Sequence, residues 1–288
     1  MSRYFADRAS KNIAFICAFA SVIILIAIFV FIFKEGLPAF QRVGVLDFLF
    51  GTEWRPGQEQ YGVLPMIVGS LYVTFGAMLI AIPLGIGCAI LLAEVAPFKV
   101  RQVLRPAAEL LVGIPSVIYG LVGLLLVVPA VREIGGTGFS ILAASIVLAA
   151  MVLPTIVSIS EDSIRAVPRG YKEGALAMGA THWQTIWHVL LPAARSGITA
   201  SIILGMGRAI GETMAMIMVI GNAVNIPVSP LDPARTLTGN IAVEIMYAPP
   251  EHMSALFATG IVLFFMIIIL NSTAMVVLKR GGRIRAKG

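Results

Sequence analysis

Six apolar runs, each long enough to cross a bilayer, limit what this chain can fold into. A hydrocarbon core of roughly 30 Å takes about 20 residues of helix, and residues 13–33, 65–93, 107–130, 139–159, 198–220 and 254–278 all reach that length. The expectation is an all-α polytopic membrane protein with six transmembrane helices in contact with membrane lipid. Composition supports it, since 58% of the residues are hydrophobic and only 12% are charged, unlike an ordinary soluble domain. No polar block is long enough for a separate soluble domain. The first run is read as a retained anchor. It exceeds the roughly 7 to 15 residues of a signal-peptide core, and Lys34-Glu35-Gly36 is a poor cleavage context.

Orientation follows from Lys and Arg, which resist translocation. One side of the expected spans carries Arg3, Arg8 and Lys11, then Lys99, Arg101 and Arg105, then Arg165, Arg169, Lys172 and Arg195, then Lys279, Arg280, Arg283, Arg285 and Lys287. The other side carries only Lys34, Arg42, Arg55, Arg132 and Arg235. Both termini are therefore expected in the cytoplasm, which requires an even number of spans. The net charge of +6 is this orientation signal rather than a nucleic-acid footprint. Cys17 and Cys88 both lie in apolar runs, so no disulfide framework is implied.

The sequence lacks a phosphate-binding G-x-x-x-x-G-K-[ST] loop, a G-x-S-x-G elbow and an H-E-x-x-H pair. Gly205, Gly207 and Gly211 miss the dinucleotide spacing and follow no strand. His182, His188 and His252 are not at metal-ligand spacings. The reading is a transport subunit without an enzymatic site of its own, with no cofactor and no metal.

Two features inside the runs call for explanation. Proline and glycine recur at Pro83, Gly85, Gly87, Gly113, Pro115, Gly120, Pro154, Gly205, Gly207 and Gly211, either to let helices approach closely or to free backbone groups along a water-lined path. Arg208 and Glu212 stand one helical turn apart within the fifth run. A charge at the centre of a membrane helix costs about 2.5–3.5 kcal/mol on insertion scales, and an i,i+4 pair returns only about 0.2–0.5 kcal/mol. The two residues are thus either a buried ion pair joining subunits or part of a translocation path. On the second reading Arg208 would face the path, and Glu212 would compete for its guanidinium with whatever passes. Pro115 disfavours helical geometry at Ile114, so Ser116 would open a half-helix, as a simple kink or as part of that path.

Between the fourth and fifth runs lies a long loop, 161–192, with apolar residues at helical spacing around Trp183, Ile186, Trp187 and Leu190. It would either lie on the membrane surface or fit a partner's socket. Glu173-Gly174-Ala175, then Gly179 after three intervening residues, then Val189 and Leu191-Pro192 resemble, register for register, the E-A-A, G, I-x-L-P loop of ABC importer permeases. Gly174 stands where that pattern prefers Ala, and Val189 where it prefers Ile. Gly207 to Ala215 (GRAIGETMA) and Gly113 to Gly120 (GIPSVIYG) resemble the phosphate importer permeases of the Pst family. Gly51-Thr52-Glu53-Trp54 and Tyr61-Gly62 are similar to its C-type subunit.

The resemblance implies a type I ABC importer permease fold in a prokaryotic inner or plasma membrane, with coupling helices that dock an ATP-binding subunit around a turn at Gly179. It implies as partners an A-type permease, two ATP-binding subunits and an external phosphate-binding protein, with phosphate as substrate. Its expected layout is an anchor and first exterior segment over 1–62, a transmembrane domain over 63–280 containing the coupling loop 161–192, and a basic tail over 281–288. Rival readings are a permease for phosphonate, sulfate or molybdate, an ATP-independent carrier using Arg208 and Glu212, and a membrane sensor of phosphate status.

Overall fold

A computed structural model describes residues 2–284, with side chains described from 10 to 277. Arg285 and Lys287 of the basic tail lie outside the described residues, as do the side chains of Arg3, Arg8, Lys279, Arg280 and Arg283. Six helices are long and apolar enough to span a membrane: Ser10–Val43, Leu64–Val95, Ser116–Ile134, Ile141–Arg165, His182–Gly211 and Pro250–Val277.

In chain order, α1 (Ser2–Val43) and the short α2 (Val45–Phe50) lead into a two-stranded hairpin, in which β1 (Trp54–Arg55) pairs antiparallel with β2 (Gln60–Tyr61). The second span, α3 (Leu64–Ile90), carries Pro65 in its first turn, where a missing N–H costs nothing, and ends in a π-helical turn over Leu91–Val95. Then come α4 (Phe98–Val112) and the third span, in which α5 (Ser116–Val122) and α6 (Val128–Ile134) are joined by a π-helical turn. The fourth span is α7 (Ile141–Arg165), started by Ser140, whose hydroxyl accepts the N–H of Ala143 at 3.1 Å. The loop supplies α8 (Arg169–Ala177) and α9 (His182–Thr185), and a π-helical turn over Ile186–Leu190 runs on into α10 (Leu191–Gly211). Last come α11 (Met214–Val219), α12 (Leu237–Glu244) and α13 (Pro250–Ile284).

Two expected spans need correction. The third begins at Ser116 and not at residue 107, because the helix breaks over Gly113–Pro115 and α4 is a separate helix with no buried residue. The apolar residues after Ala107 read as membrane-grade, but α4 carries Arg101, Arg105 and Glu109. Arg105 donates to Glu109 (3.2 Å) and to Asp162 (2.9 Å) at the end of α7, which ties α4 to the ends of the spans. These carboxylates raise the Arg105 pKa above its ordinary value, the Glu109 hydrogen bond first. The fifth span does not run unbroken to residue 220: α10 stops at Gly211 and α11 starts only at Met214.

The centre of the bundle is α7, with 67% of its most apolar window buried, whereas the corresponding window of α1 is 0% buried and faces outward. α7 lies between α3 and α10, and Ile156 fits a notch made by two glycines. A Cβ on Gly85 would come within 2.7 Å of Ile156 Cγ2, and one on Gly205 within 3.0 Å of its Cγ1. Close packing is therefore the role of these two, as small residues allow. Gly87 and Gly211 meet nothing within 4 Å, so packing does not explain them. At one end of the bundle, Phe48, Trp54, Tyr61 and Met66 form a second core with Leu256 and Ala258 of α13. At the other end, Ile90, Ile164, Ile186 and Leu190 form a third.

Candidate functional site

The site is a broken span, and the break follows from local chemistry. Beyond Gly211, Glu212 takes an extended conformation (φ −69°, ψ 131°). Its backbone carbonyl, released from the helix ladder, accepts the Thr238 hydroxyl of α12 at 2.9 Å. Its side-chain Oε1 accepts the N–H of Ala215 at 3.1 Å, satisfying one of the donors exposed where α11 begins. Thr213 donates to the Gly211 carbonyl at 3.2 Å. Discontinuous membrane helices of this kind persist only where protein or water covers the freed backbone.

Arg208 lies in the last turn of α10, half-buried, and donates to the Thr155 hydroxyl of α7 at 3.2 Å. Arg208 and Glu212 of this chain are not paired with each other. Among the described residues Arg208 has no carboxylate partner, and the geometric reason is that Glu212 has left the helix and turned its carboxylate to α11. Tyr119 lies in α5 and is partly buried against the core around α7. Its hydroxyl donates to the Leu111 carbonyl at 2.9 Å, bridging the break before Ser116. Ser116 does open a helix, with Pro115 as the preceding cap residue. α5 and α11 pack on each other, Gly120 meeting Ala215 and Met218, so the two breaks belong to neighbouring elements. Thr155, Tyr119 and Thr238 were not singled out from the sequence. A polar Thr155 directly after Pro154 inside an apolar run was the available signal.

The loop 161–192 forms two short helices around a left-handed turn. The Gly179 N–H donates to the Leu176 carbonyl (3.0 Å) and the Ala180 N–H to the Ala175 carbonyl (3.1 Å), the paired bonds of a Schellman cap. Gly179 has φ +89° with nothing within 4 Å of a would-be Cβ, so backbone conformation, not space, calls for glycine. Thr181 starts α9 with a capping box: its hydroxyl accepts the Gln184 N–H at 3.3 Å, and Gln184 Oε1 accepts the Thr181 N–H at 2.8 Å. Ile186 and Leu190 turn inward, while Tyr171, Met178, Trp183 and Trp187 are exposed. Glu173 and Gly174 lie on exposed α8, and Leu191 and Pro192 occupy the first turn of α10, where proline is tolerated.

A family model for binding-protein-dependent transport system inner membrane components matches residues 81–281. The chain belongs to this family. It is 43% identical over 274 residues to the probable ABC transporter permease protein YqgH of Bacillus subtilis strain 168, covering 92% of this chain and 88% of that one. To the phosphate transport system permease protein PstC of Xylella fastidiosa strain 9a5c it is 40% identical over 269 residues, covering 86% and 83%. A chain of a bacterial alginate ABC transporter, solved with its alginate pentasaccharide-bound periplasmic protein, matches with a TM-score of 0.66 at 17% identity over 95% of this chain and 96% of that one. A chain of the inward-facing MetNI methionine ABC transporter matches at 0.59 and 20% identity over 79% and 99%. At such identities these structures establish the shared fold alone. This permease is a multi-pass membrane protein with the ABC importer permease fold.

Proposed function

We propose that the chain is the C-type permease subunit of an ATP-driven phosphate importer. It forms half of the translocation path beside an A-type permease, receives phosphate from an external phosphate-binding protein, and contacts one of two ATP-binding subunits through 161–192. Both termini lie in the cytoplasm, and the ATPase site belongs to the partner. The transmembrane domain occupies 63–280, with the anchor and exterior segment 1–62 before it and the basic tail 281–288 after it. Phosphate is favoured over phosphonate, sulfate or molybdate by relatives such as PstC, similar over more than four fifths of both chains.

The observation that carries the reading is Arg208, an arginine inside a membrane bundle whose one hydrogen bond goes to a neutral hydroxyl. Intramembrane arginines face water-filled cavities or find anionic partners, because an uncompensated charge in hydrocarbon is costly. Its guanidinium keeps donors open for two phosphate oxygens and stays charged when dehydrated. The broken backbone at Glu212 and the helix opening at Pro115 and Ser116 line the same path. Glu212 acts as the releasing group. When the break closes, Glu212 lies one turn from Arg208 and displaces the anion, so that binding stays weak enough for exit.

Glu173, Gly174, Ala175, Gly179, Leu191 and Pro192 form the docking loop, with the exposed Trp183 and Trp187 as its apolar contacts. Uptake of labelled phosphate by the complete transporter, in competition with sulfate, molybdate and a phosphonate, tests the substrate. Competition by phosphate alone is expected. Uptake blocked better by another oxyanion would reassign the cargo.

A further inference from the structure

The two halves of the docking loop are anchored in different ways. The segment after Gly179 is packed, since Ile186 and Leu190 are buried against Ile90, Ala93 and Ile164. α8 buries no residue. Between α8 and the spans lies a cavity of about 650 Å³ lined by Glu94, Arg101, Arg165, Arg169, Lys172 and Glu173 among others. Two of its cations are already bound. Arg165 pairs with Glu161 at 3.4 Å. Arg101 donates to the carbonyls of Leu92 (2.7 Å) and Ala93 (2.8 Å), holding the π-helical turn that ends the second span. Lys172 reaches across the cavity from α8 and donates to Oε2 of Glu94 on that same turn, where the Glu94 side chain is only 11% exposed.

We infer that the Lys172–Glu94 ion pair is a strut that passes displacement of α8 to the second span; this rests on the proposed docking of an ATP-binding subunit. With no buried side chain on α8, the ion pair to the largely buried Glu94 is a direct contact through which movement of α8 pulls on the end of the second span. Motion at α9 enters the fifth span directly along the chain. Motion at α8 reaches α3 through Lys172 and Glu94. α3 packs along α7, where Ile156 sits in the notch of Gly85 beside Thr155, the partner of Arg208. Lys172 and Glu94 are thus positioning residues that link the motor side to the path.

The test uses the complete transporter in vesicles, with Glu94→Gln, Lys172→Gln, and the exchanged pair Glu94→Lys with Lys172→Glu. Four quantities are read: retention of the ATP-binding subunit on purification, stimulation of ATP hydrolysis by phosphate-loaded binding protein, uptake of labelled phosphate, and thermal stability. Glu94→Gln is expected to retain the subunit while stimulation and uptake fall about tenfold, within the usual range of coupling between sites. Lys172→Gln is expected to lose stimulation and uptake to the same extent, and the exchanged pair is expected to recover most of both; the retained ATP-binding subunit and unchanged thermal stability of the single variants separate the strut from a merely structural contact. Single variants that transport at the unmodified rate, or an exchanged pair no better than the singles, would overturn the strut. An unmodified chain that fails to retain the subunit would overturn the docking reading and the strut with it.

Discussion

Arg208 and Arg235 are the same residue in opposite circumstances. Arg235, in the segment between α11 and α12, donates from Nε to the Asn222 carbonyl and from Nη1 to Asn240 Oδ1, both at 3.0 Å, and pairs with Glu244. Glu244 also accepts Trp54 Nε1 of the hairpin and lies 2.8 Å from His252 Nε2 of α13. The charge of that guanidinium is paired with a carboxylate and three hydrogen bonds fix its position, and its role is to tie the hairpin, α12 and the start of α13 together. Burial beside this cluster lifts the Tyr61 phenol above its ordinary pKa. Arg208 has one neutral hydroxyl, and Glu212 faces elsewhere. The difference shows that a half-buried arginine is read by whether a carboxylate pairs its charge, not by its burial.

The comparison can be broken at either end. Glu244→Ala strands the Arg235 charge among buried groups and is expected to cost about 3–5 kcal/mol, seen as a large drop in thermal stability in detergent. Arg208→Gln is expected to behave in reverse. Uptake of labelled phosphate falls to background, while stability stays level or rises, since the substitution removes a charge whose insertion costs about 2.5–3.5 kcal/mol. Equal thermal losses from the two variants would erase the distinction.

Two glycines of the loop sharpen the same contrast between a residue the fold requires and one it leaves open. Gly179→Ala forces a side chain into a left-handed position and is expected to cost about 1–2 kcal/mol, with weakened retention of the ATP-binding subunit. Gly174→Ala adds a methyl group into open space within α8. It is expected to stabilise that helix by about 0.5–1 kcal/mol and to leave uptake unchanged.

Span number and type were legible in the sequence because a helix in lipid must satisfy its backbone internally and needs a minimum apolar length. The breaks were harder to place. Apolar residues continue on both sides of Gly113–Pro115 and of Gly211–Thr213, so a length-and-hydropathy reading joins them into single runs. Pro115 gave its signal, and Ser116 does begin a helix. At Glu212 the helical period put the carboxylate one turn above Arg208, and nothing local announced that Thr238, 26 residues later, would take the Glu212 carbonyl. The Arg235 cluster was unreadable for the same reason, since it joins Trp54, Glu244 and His252 across long stretches of chain. The bend at Gly179 was expected from the family resemblance, and the bonds that make it are all local.

The most direct test of the account is uptake of labelled phosphate by the complete reconstituted transporter carrying Arg208→Gln, with subunit retention and ATP hydrolysis measured on the same preparation. The account predicts an assembled, hydrolysis-competent complex that moves no phosphate. Transport at the unmodified rate would contradict it, because the open guanidinium would then have no part in carrying the anion.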